Sequence, residues 1–261
     1  MASSLSLKIL VINPNSSRSM TEGIAGAVRA LKSLNTTEIT MYTAPQESPA
    51  SIDNGLDVTA SSEAVYRDLQ KTGLIQGYDA ALVACYSVHP LVHRLQEEPG
   101  RHGRVAVIGI FEASILASLS LLPQQSPSPT WGIVTTGSFW EEHLSKGVKS
   151  FLGQASNDAN AKFAGVQSTG LDAADFHGGV SHKVICDRLK TASKRLLRAR
   201  SVGCVIMGCA GMAGLEDIIR EAAVEEYGTA NGNQVLIIDG VRAGIGILEQ
   251  MIKNRQMFQE T

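Results

Sequence analysis

Two cysteines close apolar runs of similar make, and thiols placed that way can move protons. One run is Tyr78-Asp79-Ala80-Ala81-Leu82-Val83-Ala84-Cys85, the other Val202-Gly203-Cys204-Val205-Ile206-Met207-Gly208-Cys209, so the two sulfurs stand 124 positions apart, at 85 and 209. Each run reads as a buried parallel strand, and such a strand delivers the residues beyond its carboxyl end into a cleft. A thiol with an ordinary pKa of about 8.5 is partly ionised at neutral pH. Helix N-termini and open turn N–H groups favour its thiolate further. One thiolate and one thiol on opposite faces of a carbon acid form a two-base shuttle. The first removes hydrogen, backbone N–H groups steady the enolate, and the second reprotonates the other face. That chemistry inverts a stereocentre and needs no metal or cofactor.

A free cysteine more often packs as a small hydrophobe. Cys186, within a helical pattern, and Cys204, inside a strand, are read that way. Cys85 and Cys209 differ because both stand at strand-to-turn junctions in segments that repeat. Gly208, Gly211 and Gly214 around Cys209 let a ligand approach the backbone closely. Metal sites fit poorly: Cys204 and Cys209 lack paired zinc-ligand spacing, and His89 and His93 lack the His-Glu-x-x-His glutamate. His89 either favours a Cys85 thiolate electrostatically or caps the helix after it. His177 and His182, flanking Gly178-Gly179, read as loop residues. The glycine spacing matches neither a Walker loop nor a dinucleotide fingerprint, so nucleotide cofactors are disfavoured.

Strands are expected at 8–12, 38–43, 78–85, 104–110, 131–137, 163–169, 202–209 and 234–239. Helices are expected at 20–34, 61–76, 90–98, 112–121, 139–151, 181–199, 215–227 and 240–252. Residues 44–57 read as a Pro-bearing loop, 123–129 as a loop insertion and 154–162 as a mobile linker. Strand–helix alternation predicts an α/β fold with parallel sheets covered by helices. The strand at 9–12 matches 133–136 at an offset of 122 to 124, the cysteine strands match at 124, and 105–110 matches 235–239 at about 130. Three elements in one order imply a duplicated lobe.

A chain of 261 residues with 44% apolar and 18% charged content has a substantial core. Its net charge of −2 and pI of 6.3 argue against nucleic-acid binding, and Lys190, Lys194, Arg195, Arg198 and Arg200 read as a solvated helical face. No run approaches membrane-spanning length, and residues 1–8 carry no apolar signal stretch. Four cysteines without disulfide-framework spacing read as reduced thiols. These features predict a cytoplasmic protein with no membrane or nucleic-acid partner.

The run Ile12-Asn13-Pro14-Asn15-Ser16-Ser17, with Met20-Thr21, resembles the opening signature of hydantoin racemases in the aspartate/glutamate racemase superfamily. Gly208-Cys209-Ala210-Gly211-Met212-Ala213-Gly214-Leu215 is similar to that family's second cysteine motif. Residues 107–114 and 133–136 and the Cys85 strand fall in the family's order. The resemblance covers nearly the whole chain. It implies two pseudo-symmetric Rossmann-like lobes (5–103 plus 210–261, and 104–209) with the active site in the interlobe cleft. It implies Cys85 and Cys209 as acid and base, with Asn13, Ser87, Thr135, Thr136, Ala210 and Gly211 holding the ring. It also implies a cofactor-independent homo-oligomer, and a cyclic ureide substrate such as allantoin or a 5-substituted hydantoin. Asn13 and Thr135 read equally well as cap and turn residues. Many members follow the first cysteine with Asp-Pro-Gly, whereas here Tyr86-Ser87-Val88-His89-Pro90 stands, which bears on substrate identity.

Two other functions share these residues. A maleate-isomerase-like or arylmalonate-decarboxylase-like enzyme would use one cysteine as nucleophile or lone proton donor. A non-catalytic small-molecule-binding paralogue would keep the lobes without turnover. Glutamate or aspartate racemisation fits less well, since Tyr86-Ser87 replaces the Asn-Thr that such enzymes carry after the first cysteine.

Overall fold

The structure, a computed structural model, describes residues 6–31, 37–97, 105–123, 129–155 and 157–259. Most of the loop insertion expected at 123–129 lies outside them, as do the ends of the expected helices at 34 and 98. The chain forms β1 (Leu7–Asn13), α1 (Arg18–Arg29), β2 (Thr37–Thr43), α2 (Gly55–Thr72), β3 (Ala80–Val83), α3 (Pro90–Gln96), β4 (Ala106–Gly109) and α4 (Ile110–Leu121). It continues as β5 (Thr130–Thr135), α5 (Phe139–Phe151), β6 (Phe163–Ser168), α6 (His182–Ala199), β7 (Val202–Gly208), α7 (Glu216–Gly232), β8 (Leu236–Asp239) and α8 (Gly240–Gln259).

Two four-stranded sheets result, in the orders β2-β1-β3-β4 and β6-β5-β7-β8, with every pair parallel. The expected α/β class and duplicated strand order are therefore both present. The inner strands read as unbroken apolar runs because helices cover both faces of a parallel sheet. Ala80, Ala81, Leu82 and Val83 of β3 are wholly buried, as are Val205 and Ile206 of β7. Burying one such aliphatic side chain contributes about 2 kcal/mol.

The chain divides into two compact units, residues 1–113 with 241–261, and residues 114–240. The boundaries expected at 103/104 and 209/210 are displaced for a physical reason. β4 hydrogen-bonds to β3 and stays with the first sheet, while β8 hydrogen-bonds to β7 and keeps 210–240 in the second. In the first unit, Leu10, Ile12, Leu69, Val83 and Leu91 share one apolar cluster. α8 returns to this unit, where a Cβ on Gly244 would strike Leu82 and Thr37 donates to Glu249 Oε1 at 2.6 Å. In the second unit, Val134, Leu189, Leu196, Met207 and Met212 share another.

Several bounds differ from expectation. α2 begins at Gly55 rather than 61, because Asn54 accepts from Leu56 and Asp57 N–H and caps a first turn with little apolar signal. It ends at Gly73, whose left-handed φ of 65° leads into a 3₁₀ turn, Leu74–Gly77. Toward the end of the segment 154–162, Asn160 Oδ1 accepts from Lys162 and Phe163 N–H at 2.8 and 2.9 Å. On the basic face of α6, Lys190 pairs with Glu225 at 2.6 Å and Arg198 with Glu226 at 2.6 Å. Among the described residues no helix is long and apolar enough to cross a membrane.

Candidate active site

In the first unit, the carboxyl ends of β1 and β3 lie side by side: Ile12 is in register with Val83, and Ala84 N–H donates to Ile12 C=O at 2.8 Å. The chain then turns at Cys85, a half-buried thiol outside any disulfide. Its Sγ lies 3.5 Å from Oγ of Ser87, a residue with no exposed surface. Ser87 N–H donates to Cys85 C=O at 3.0 Å, which holds the turn tight.

His89 settles its two readings. It is 2% exposed, accepts from Leu91 N–H through Nδ1 at 3.3 Å and pairs through Nε2 with Ser61 Oγ at 3.0 Å. Burial pushes its pKa down to about 4, so the ring is neutral at pH 7. With Nδ1 accepting, the network assigns the proton to Nε2, which donates to Ser61. Ser61 in turn donates to Val58 C=O. His89 is thus the N-cap of α3, with Pro90 at the first helical position. A neutral ring supplies no cation to Cys85.

At the end of β1, Asn13 is buried and its amide group is engaged inside the turn. Nδ2 has Asn15 Oδ1, Ser17 C=O and Thr21 Oγ1 within 2.9 to 3.1 Å, and Oδ1 accepts from Asn15 N–H. The side chain holds the β1–α1 loop in shape.

The second unit repeats the arrangement with different chemistry. Thr135, at the end of β5, is in register with Gly208 and donates to its C=O at 2.9 Å. Thr135 and Thr136 are both buried, and Thr136 C=O accepts from Gly170 N–H at 3.0 Å. β7 and β5 approach so closely here that a Cβ on Gly208 would lie 2.7 Å from Ile133 Cγ2 and 2.8 Å from Val134 O. Glycine is required by that contact.

Cys209 comes next, half-buried, as the cap of a 3₁₀ turn, Ala210–Met212. Its Sγ accepts from Gly211 N–H at 3.3 Å, and its C=O accepts from Met212 N–H at 3.1 Å. An N–H directed at sulfur favours the thiolate over the thiol. Cys204, deep in β7, is a different case, because burial drives its pKa up to about 12 and leaves it an inert thiol. Cys186 lies on α6, 3.4 Å from His182 Nδ1.

Each unit therefore gathers its own residues: Cys85 with Ser87 beside the β1 turn, and Cys209 with Ala210, Gly211 and the Thr135 tie. Sequence reasoning missed His177, whose Nε2 is buried against the Cys209 turn. It also missed Glu112, whose carboxyl burial raises to about 7. Glu112 stands three residues after Gly109 and reaches back toward it, a spacing readable as a helix start. Nothing local marks His177. Among the described residues, no cluster of three histidine, cysteine or acidic side chains could hold a metal ion.

The chain belongs to the Asp/Glu/hydantoin racemase family, whose model matches residues 9–248. It is similar to an uncharacterised protein of Schizosaccharomyces pombe, 30% identical over 247 residues, covering 95% of this chain and 92% of the other. It is 27% identical to a hydantoin racemase of Pseudomonas sp. strain NS671, covering 94% and 86% of the two chains. Among solved structures it resembles an allantoin racemase from Klebsiella pneumoniae, with a TM-score of 0.74 and 25% identity over 95% of this chain and 88% of that one.

Proposed function

We propose that the protein is a cofactor-independent racemase of a hydantoin-type ring, allantoin or a 5-substituted hydantoin, with Cys85 and Cys209 as acid and base. The carrying observation is that in each unit the turn just after the third strand of its sheet order carries a half-buried cysteine, within a chain of the racemase family. The hydantoin and allantoin racemases among its relatives support the substrate class, a small cyclic ureide.

In this reading one cysteine begins as thiolate and takes the hydrogen from the ring carbon between carbonyl and nitrogen. Negative charge moves onto the neighbouring carbonyl oxygen, where backbone N–H groups of the turns stabilise it. The other cysteine, a thiol, gives its proton to the opposite face. The proton count closes: one thiolate and one thiol before, one thiol and one thiolate after. Backbone groups at Ala210 and Gly211, with Ser87, hold the ring. Asn13 and Thr135 act by fixing the loops that present those groups, since their side-chain polar atoms are engaged in the fold, and Thr136 stands beside them with its C=O bonded to Gly170 N–H. A cytoplasmic location and a homo-oligomeric state belong to the same reading, testable by fractionation and light scattering.

Chiral chromatography of single enantiomers of allantoin, 5-methylhydantoin and 5-benzylhydantoin tests the assignment. Conversion of one enantiomer to an equal mixture, at a rate proportional to enzyme, is the expected result. No conversion of any ring, with maleate turned to fumarate instead, would reassign the protein to isomerase chemistry.

A further inference from the structure

The turn that presents Cys209 keeps a buried nitrogen without a partner. Nε2 of His177 is shut off from solvent and makes no hydrogen bond, although most buried polar atoms in folded proteins find one. His177 ends the 3₁₀ turn Ala173–His177, whose start is fixed by reciprocal bonds between Asp172 and Asp175. That turn packs against Ala210–Met212. The position a Cβ on Gly211 would take lies 3.0 Å from His177 Nε2 and 3.5 Å from Cys209 Sγ. Nε2 and Sγ therefore both lie within 3.5 Å of the position a side chain on Gly211 would take, and glycine leaves that position unfilled. His177 as a whole is only half-buried, so the ring joins that space to the outside. Burial holds the imidazole below its usual pKa, neutral at pH 7 and able to accept a proton.

Two-thiol racemisation creates a need for such a group. After one turnover the thiols have exchanged protonation states, and a second turnover in the same direction requires Cys209 to return to its starting form. We propose that His177 resets Cys209 between turnovers by carrying protons between its sulfur and solvent. When Cys209 must lose a proton, its side chain and the His177 ring turn toward each other across the position that Gly211 leaves unfilled, and the sulfur's hydrogen passes to Nε2. The imidazolium then releases a proton to bulk water, so the thiol loses one proton, water gains one and the ring ends neutral. The reverse sequence reloads the thiol. His177 acts through Cys209 and never on the substrate. The inference rests on the two-thiol reading.

The test compares wild type, His177→Gln and His177→Ala on whichever single enantiomer the wild type converts. Rapid quench follows deuterium loss from the ring carbon in the first turnover, and steady state gives kcat at saturating substrate. Each is run with and without added imidazole. The expected result is a first turnover within about twofold of wild type, a kcat lowered about tenfold or more, and recovery of kcat by imidazole, greater for His177→Ala, which leaves room for it. Unchanged kcat in both variants overturns the proposal. So does a parallel fall of first turnover and kcat without rescue, which marks a structural residue, as does loss of folding by circular dichroism in both. Those outcomes leave the two-thiol reading standing if wild type still exchanges deuterium. A wild type that converts no ring overturns both.

Discussion

The turn after β3 and the turn after β7 occupy equivalent places in their sheets yet are built from different materials. The first has no glycine: Tyr86, Ser87 and His89 are buried in it, Tyr86 edge-on to Phe111 with ring centres 5.6 Å apart. The second is spaced by Gly208, Gly211 and Gly214, with Met212 as its wholly buried side chain. The sulfurs inherit the difference. Cys85 faces a serine hydroxyl, which can donate or accept and so suits thiol and thiolate alike. Cys209 faces an N–H, which can only donate and so favours the thiolate. Two strand ends alike in position thus carry turns of different make, with different groups beside the two sulfurs.

Removing the thiols singly tests the two turns most severely. Cys85→Ser and Cys209→Ser each lower racemisation by on the order of 10³-fold, read by chiral chromatography, because each turnover needs both a donor and an acceptor. A variant that keeps its rate shows its thiol to be dispensable.

A second contrast lies one residue earlier, where the first unit has Ala84 and the second Gly208. Gly208→Ala drives a methyl into Val134 O and Ile133 Cγ2 and costs about 1–3 kcal/mol in urea unfolding. Ala84→Gly, at a position that already accommodates a methyl, costs about 1 kcal/mol or less.

The pH dependence of stability separates the turns further, because His89 in the first is almost wholly buried, whereas His177 beside the second is half-buried. The folded pKa of His89, about 4, lies below its unfolded value near 6.5, so the unfolded chain binds the extra proton between those limits. Its contribution is therefore present above pH 6.5 and lost as pH falls toward 4, by about 3 kcal/mol in all. Glu112 works in the opposite direction: its folded pKa is about 7, above the unfolded value, so its contribution fades as pH rises through that range. The two overlap, so the readout is the difference between wild type and His89→Asn, which keeps a capping oxygen. That difference grows from pH 4 to 6.5.

The smallest effect is chemical. At pH 7, iodoacetamide should alkylate Cys209 several-fold faster than Cys85, and Cys204 negligibly, as read by peptide mass spectrometry. Faster reaction at Cys85 would reverse the assignment of the two turns.

Strand runs and the paired cysteines were legible because a parallel strand writes its burial into consecutive residues. The unit boundaries were not, since the pairing of β4 with β3 and of β8 with β7 appears nowhere in the local pattern. The same holds for His89. Its neighbours announce a helix start, but its neutrality comes from the shell that buries it, and its partner Ser61 stands 28 positions earlier. His177 was hidden for a like reason: Ala173–His177 looks like a loop, and only the fold brings it against Gly211. Asn13 and Thr135 were read as ring holders or as turn residues, and their hydrogen bonds employ them in the turns.

The most direct test of the central claim is solvent exchange at the ring carbon, monitored by proton NMR on a single enantiomer in D₂O. Two-thiol acid–base catalysis predicts that wild type places one deuterium at the stereocentre of the inverted product, and that Cys85→Ser and Cys209→Ser both lose the inversion. Inversion without solvent deuterium, or inversion surviving in both variants, would contradict it.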